Sequence, residues 1–229
     1  MSFTTGFVIF PNLTQLDFTG PLQVLHRLPG ATTHIVAKTR DLVPSDGPLA
    51  IPPTATFADC PPLDLICIPG GFGVSEAMQD DETIAFVRDA GARAKYVTSV
   101  CTGAFILGAA GLLQGKRATT HWAYHHLLAW VGAIPVKERV VRDGNTFTGG
   151  GVTAGVDFAF TLMSDMAGPL VAQAVQLALE YDPKPPFEGG SPSRAPAAIK
   201  ATVDQRYAPR MPEFEKVLNR VATRLHVVG

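Results

Sequence analysis

Cys101 lies at a point of the sequence where a thiol could act as a nucleophile. The segment 95–110 begins with an apolar run, passes through Cys101-Thr102-Gly103 and continues into an alanine-rich stretch. This order predicts a buried strand, a tight turn and a helix. A nucleophile elbow that presents a catalytic serine has the same form, and Ser99 and Gly103 take the places of its glycines. The first free N–H groups of such a helix would favour the thiolate. The alternative is a buried structural cysteine, and the strand–turn–helix setting favours the nucleophile.

Asp17 is the carboxyl group that could work beside this thiol. It stands between Leu16 and Phe18, ahead of a helix predicted to begin at Gly20-Pro21, with Pro21 in the first turn. Aspartate is a common helix cap, and spacing alone leaves cap and catalytic acid equally open. If the apolar neighbours bury the carboxyl group, desolvation disfavours its charged form and keeps a proton available near neutral pH.

Glycine-rich turns could surround these two side chains. Gly71 in the segment Pro69–Gly73, and Thr102 beside the cysteine, are predicted to supply backbone N–H groups that stabilise developing negative charge. The alternative is a plain tight turn. Other possible pocket residues are Gly70, Phe72, Gly150 and His121. Gly-Gly-Phe-Gly lacks the spacing of a dinucleotide fingerprint, so we expect no cofactor.

Three histidines invite comparison with a metal site. His121 and His125 would share one face of a helix, with His126 beside them. No third ligand is evident in this HxxxH pattern and HExxH is absent, so packing or capping is the favoured role and no metal is expected.

Alternating strands and helices must position these residues. Such alternation predicts an α/β fold with a mostly parallel sheet covered by helices on both faces, and sites in such sheets lie at the carboxyl ends of the strands. Strands are predicted at 6–10, 34–37, 63–68 and 97–100, hairpins at 41–50 and 136–148, and helices after Gly20 and at 81–94, 104–110, 154–166, 169–181 and 199–225.

We expect one domain over residues 1–182 and a C-terminal arm and helix over 183–229. The arm begins in the proline- and glycine-rich segment 182–193. It is too apolar to remain free in solvent, so we expect it to pack on the domain or on the partner in a homodimer.

Composition excludes several classes of protein. The chain has 229 residues, 46% of them hydrophobic, and a net charge of -1. It is long enough for a sizeable core and lacks the basic character that nucleic acid requires. No apolar run reaches membrane-spanning length, and the N-terminus does not resemble a signal peptide. Three cysteines without a CxxC pair suit a reducing compartment. We therefore expect a cytoplasmic protein with a small-molecule partner.

Four segments together resemble the ThiJ/PfpI superfamily, which shares the fold of the class I glutamine amidotransferases. They are Ile68-Pro69-Gly70-Gly71, the stretch from Ser99 to Ala104, the stretch from Leu16 to Pro21, and Ala118–Trp122. The resemblance implies a flavodoxin-like fold in a single domain, and it includes the sensor domain of some AraC-type regulators. It extends to the isocyanide-hydrating members, including the arm from Tyr181 to Phe187.

The resemblance also implies an activity: hydration of an isocyanide to an N-substituted formamide. In such members Cys101 would be the nucleophile, Asp17 the general acid and base, and Thr102 a third site residue. Protease-like members carry histidine directly after the cysteine, where this chain has Thr102, which argues against a peptidase. Other cysteine-dependent hydrolase or glyoxalase-like activity, or a redox sensor without catalysis, remain the alternatives.

Overall fold

A seven-stranded sheet forms the centre of the molecule. The computed structural model describes residues 3–225. The strands stand in the order β10-β11-β7-β6-β1-β2-β5, and every neighbouring pair is parallel except β10 and β11. They comprise β1 Phe3–Val8, β2 Ala31–Ala37, β5 Ala55–Thr56, β6 Leu65–Ile68, β7 Tyr96–Val100, β10 Val140–Asp143 and β11 Thr146–Gly149. Two short pairs stand apart: β3 Val43–Pro44 with β4 Ala50–Ile51, and β8 Arg117–Ala118 with β9 Ile134–Pro135.

Helices cover the sheet, and the predicted α/β, flavodoxin-like arrangement is confirmed. α1 packs against α5 and α5 against α6, whereas α3 packs against α4 and α8 against a 3-10 helix at Trp122–Val131. The helices are α1 Gln15–Leu25, α2 Val74–Ala77, α3 Asp81–Arg93, α4 Gly103–Ala109, α5 Ala154–Ala167, α6 Pro169–Ala178, α7 Ala197–Tyr207 and α8 Met211–Arg224. Among residues 3–225, no helix is both long and apolar enough to cross a membrane.

The central strands are apolar because both of their faces are covered. All four residues of β6 are buried, as expected of an inner parallel strand. β1, β6 and β7 lie side by side, so the segments that follow them meet at one edge of the sheet. This edge receives three segments: Pro11 to Asp17, which carries the predicted acid, the glycine-rich segment Gly70 to Gly73, and the turn at Cys101.

The predicted start of the first helix is wrong. α1 begins at Gln15, so Asp17 lies in its first turn and Pro21 is its seventh residue. Proline prefers the first turn of a helix, but tertiary packing overrides that preference here. Gly155 of α5 faces Pro21 so closely that a Cβ atom on the glycine would lie 3.1 Å from the proline Cγ. The apolar contact between α1 and α5 therefore includes the proline.

The C-terminal segment folds back on its own domain. Phe214 of α8 lies edge-on to Phe105 of α4, with ring centroids 5.0 Å apart, and 4.8 Å from the ring of Tyr124. Residues 182–196 form no helix or strand, as the composition indicates. The last four residues of the predicted arm, 226–229, lie outside the described residues. The arm thus contributes to the edge of the sheet where the candidate site lies.

Candidate active site

Cys101 occupies a strained turn between β7 and α4. Its φ angle is 55°, in the left-handed region that costs a non-glycine residue about 1–3 kcal/mol and persists only when the surrounding structure enforces it. The backbone N–H of Cys101 is shared between the carbonyl oxygens of Gly149 and Gly150, both at 3.0 Å. The backbone geometry of the predicted elbow is therefore confirmed.

Two glycines allow the turn to pack against the end of β6. A Cβ atom on Gly103 would overlap with the carbonyl oxygen of Ile68, and one on Gly70 would lie 2.6 Å from the Thr102 nitrogen and 2.8 Å from Asp17 Oδ2. The first turn of α4, the Gly70 segment and the Asp17 carboxyl group are thus in direct contact. This contact brings the predicted nucleophile and the predicted acid together.

Asp17 is completely buried. Its Oδ2 accepts a hydrogen bond of 3.1 Å from the Gly70 N–H, while Oδ1 has no hydrogen-bond partner among the described residues. Burial raises the pKa of Asp17 from 3.8 to about 7, although the neighbouring Cys101 thiol and the Gly70 N–H oppose part of this rise. Asp17 is not a helix cap, since Thr14 holds that position. The carboxyl group retains its proton close to neutral pH.

The Cys101 thiol does not have the lowered pKa that the helix terminus suggested. Burial raises its pKa well above the ordinary value, and the negative charge of Asp17 raises it further. The N–H groups of Thr102 and Val152 act in the opposite direction because both donate toward the sulfur. α4 has seven residues, so its dipole does not outweigh desolvation. Ionisation of Asp17 disfavours the thiolate further, so the titrations of the two groups are coupled.

Thr102 connects the turn to the Gly71 segment. The Gly71 N–H donates a hydrogen bond of 3.0 Å to Thr102 Oγ1. Gly71 has a φ angle of 137°, which only glycine adopts readily. The prediction that this N–H is free to stabilise charge on a substrate therefore needs correction. Gly71 instead positions the Thr102 side chain, whose backbone N–H faces the thiol.

His121 does not share a helical face with His125. It precedes the 3-10 helix at Trp122–Val131, and its Nδ1 atom accepts a hydrogen bond of 3.3 Å from the Ala123 N–H. Burial lowers the pKa of His121 to about 4, so its ring is neutral at physiological pH. Within residues 3–225, no three His, Cys, Asp or Glu side chains cluster in a way that could hold a metal ion.

A cavity of about 70 Å³ opens beside the thiol. Phe72 and His121 line it as predicted, but Gly70 and Gly150 do not, because Gly70 faces Asp17 and the Gly150 carbonyl accepts from the Cys101 N–H. The lining comprises Cys101, Thr102, Gly71, Phe72, His121, Tyr124, Val152, Thr14, Ser75, Tyr207, Arg210 and Phe214.

The arm supplies three cavity residues that sequence reasoning missed: Tyr207, Arg210 and Phe214. The Arg210 guanidinium lies 4.0 Å from the centre of the Phe72 ring, and the Tyr207 ring lies 5.1 Å from that of His121. The apolar spacing of Phe214, Val217 and Val221 could have predicted that α8 packs on the domain. It could not have predicted which surface α8 covers.

Comparison with known proteins agrees with this geometry. The family model described as the DJ-1/PfpI family matches residues 5–165, which include Asp17, Cys101 and all of the sheet except the first two residues of β1. The chain belongs to the DJ-1/PfpI family. The predicted superfamily is thereby confirmed.

Relatives within this family include enzymes and regulators. The chain is 56% identical to an isonitrile hydratase of Pseudomonas putida over 99% of its own length and 100% of that protein. It is 28% identical to the HTH-type transcriptional regulator GbdR of Pseudomonas aeruginosa over 77% of the chain and half of the regulator. A crystal structure of a ThiJ/PfpI family protein from Pseudomonas syringae matches with 46% identity and a TM-score of 0.92, covering 97% of this chain and 91% of that one.

Proposed function

We propose that this protein is an isocyanide hydratase, a lyase that adds water to R–N≡C and yields an N-substituted formamide. The observation that carries the proposal is the contact between a strained, buried cysteine and a carboxyl group whose pKa is near 7. The full-length similarity to an isonitrile hydratase supports the choice of substrate.

The first step combines protonation with nucleophilic attack. The terminal carbon of an isocyanide becomes an electrophile once it accepts a proton. The Cys101 thiol, whose pKa is raised, first passes its proton to ionised Asp17. Neutral Asp17 then donates that proton to the terminal carbon as the Cys101 thiolate attacks the same carbon, forming a thioimidate R–N=CH–S–Cys and leaving Asp17 ionised. The N–H groups of Thr102 and Val152 that face the sulfur support the thiolate in this step.

The second step releases the formamide. Ionised Asp17 takes a proton from water as the hydroxide adds to the thioimidate carbon, and returns it to the nitrogen. Collapse of the resulting tetrahedral species expels the thiolate, and the hydroxyl proton passes to Asp17. The product is R–NH–CHO, and the Cys101 thiolate and neutral Asp17 are regenerated.

Turnover of an aryl isocyanide by purified protein tests the proposal. With p-nitrophenyl isocyanide we expect the formamide, identified by mass, and no product from Cys101→Ala or Asp17→Val at unchanged circular dichroism. General acid–base catalysis contributes about 10²–10⁴-fold, so loss of the Asp17 carboxyl group should nearly abolish activity. Full activity in either variant would refute the assigned roles.

A substrate panel separates the competing functions. Methylglyoxal and simple amides test for glyoxalase-like and hydrolytic activity on the same scaffold. Peroxide titration with intact-mass detection tests for a sensor, which would show oxidation of Cys101 without turnover of any substrate. Preference for methylglyoxal or amides over isocyanide would overturn the proposed substrate class.

We also propose a homodimer, in the cytoplasm. Leu170 and Leu177 of α6 are 81% and 82% exposed, and Phe187 of the arm is 82% exposed, which is typical of a surface that a partner covers. All three cysteines are free thiols, as in a reducing compartment. Sedimentation equilibrium should give a dimer, and Leu170→Glu with Leu177→Glu should weaken it; a wild-type monomer would contradict the proposal.

A further inference from the structure

Tyr207 brings a phenol group to the cavity from outside the family-matched region. It is the last residue of α7, and its side chain lines the cavity together with Cys101 and Thr102. Its ring packs among those of His121, Trp122 and Tyr124, at centroid distances of 5.1, 6.0 and 5.9 Å. Three aromatic neighbours therefore fix the plane of the phenol.

His121 determines which role the Tyr207 hydroxyl plays. Because His121 Nδ1 accepts from the Ala123 N–H, the ring proton of the neutral imidazole is on Nε2. Nε2 lies 3.4 Å from the Tyr207 hydroxyl oxygen, so the histidine donates and the tyrosine accepts. The hydroxyl proton of Tyr207 has no acceptor among the described residues and can point into the cavity.

The orientation of His121 is itself enforced. A Cβ atom on Gly151 would lie 2.6 Å from His121 Cδ2, so the imidazole fills the space beside this glycine. Burial lowers the pKa of His121 and so keeps its ring uncharged. The pKa of Tyr207 is raised by burial and by the nearby charges of Cys101 and Asp17, so the phenol stays protonated. The pair thus presents a neutral hydrogen-bond donor at physiological pH.

The proposed reaction requires such a donor. When water adds to the thioimidate carbon, an electron pair moves to the nitrogen, which becomes negatively charged until it is protonated. Asp17 is completely buried and does not line the cavity, whereas Tyr207 of α7 does. A substrate whose carbon is bonded to the sulfur places its nitrogen one bond further from the sulfur, within the cavity that Tyr207 also lines.

We propose that the Tyr207 hydroxyl, oriented by His121 Nε2–H, donates a hydrogen bond to the substrate nitrogen and stabilises the charge that develops there. This inference rests on the proposed function. Tyr207 transfers no proton and acts only as a donor, so the proton balance through Asp17 is unchanged. The arm then completes the catalytic machinery as well as covering the cavity.

Tyr207→Phe tests this proposal because it keeps the ring and removes only the hydroxyl. We expect kcat for p-nitrophenyl isocyanide to fall about 10- to 100-fold with little change in KM, as for loss of a donor to developing charge. Since the step after thioimidate formation is slowed, the covalent adduct on Cys101 should accumulate at steady state and appear in the intact mass of the protein.

Two matched variants complete the experiment. Tyr124→Phe removes the hydroxyl of another cavity residue, which has no hydrogen bond to a histidine among residues 3–225, and should have the smaller effect. Tyr96→Phe removes a hydroxyl bonded to Asp165 at the far end of β7, and should leave turnover unchanged. Unchanged kcat in Tyr207→Phe, a rise in KM alone, or an equal loss in Tyr124→Phe would overturn this proposal while the proposed function stands. No turnover by the wild-type protein would overturn both.

Discussion

Burial of Asp17 should make the stability of the protein depend on pH. Its pKa is about 7 in the folded protein against an ordinary 3.8, a difference of about 3, and each pKa unit corresponds to about 1.4 kcal/mol. The folded state therefore binds a proton between pH 4 and 7 that the unfolded state does not bind. Stability from this group is complete below pH 3.8 and is lost as pH rises through 7, by about 4 kcal/mol in total.

Asp17→Asn removes this titration without removing the hydrogen bond to Gly70, because the amide oxygen can accept from the same N–H. Incomplete hydrogen bonding of the amide at the Oδ1 position adds an offset of about 1–3 kcal/mol that does not vary with pH. The test is therefore how the difference in free energy of unfolding between Asp17→Asn and the wild type changes with pH. Between pH 4.5 and a pH above 7, the free energy of unfolding of Asp17→Asn should rise by about 3 kcal/mol relative to that of the wild type.

Urea denaturation from pH 4.5 to 8.5, followed by circular dichroism, measures this difference. Asp89→Asn, at an exposed position on α3, is the matched control for loss of a carboxyl group. Asp17→Asn should also lose turnover, since residue 17 is then neither a general acid nor a general base. The conclusion that Asp17 is a buried acid would be refuted by either of two results. The difference in free energy of unfolding between Asp17→Asn and the wild type could stay constant across this pH range, or it could shift in favour of the wild type at high pH.

Three further substitutions test the packing around the site. Gly103→Ala should destabilise the protein at the upper end of the ~1–3 kcal/mol typical of overpacking, because the new Cβ meets the backbone of Ile68. Gly190→Ala is the control in urea denaturation, since its new Cβ would have no atom within 4 Å. Equal denaturation midpoints for the two variants would contradict the close contact at Gly103. Thr102→Val should lower the free energy of unfolding by about 1–3 kcal/mol because the Gly71 N–H loses its acceptor. It should reduce kcat less than Cys101→Ala does. A loss of kcat as large as that of Cys101→Ala would assign the Thr102 hydroxyl a direct role. Phe214→Ala should cost about 3–5 kcal/mol and speed proteolysis of the arm, and an unchanged cleavage rate would show that this ring does not hold the arm in place.

The sequence by itself determined the architecture and pointed to the two candidate reactive groups, Cys101 and Asp17. Strand β6 and the turn at Cys101 are local features: a run of apolar residues must be covered on both faces, and a turn with glycine at position 103 can adopt the tight geometry. Because parallel strands end at one edge, the meeting of Asp17, Gly70 and Cys101 followed from the order of the elements alone.

Only the tertiary structure decided the start of α1, the protonation of the site and the role of the arm. Pro21 lies inside a helix because Gly155 packs on it, and the pKa values of Asp17 and Cys101 follow from burial, which depends on every element around them. Tyr207 and Phe214 reach the cavity from more than a hundred residues away. No local pattern encodes such contacts, since they arise from the way in which separately formed surfaces fit together.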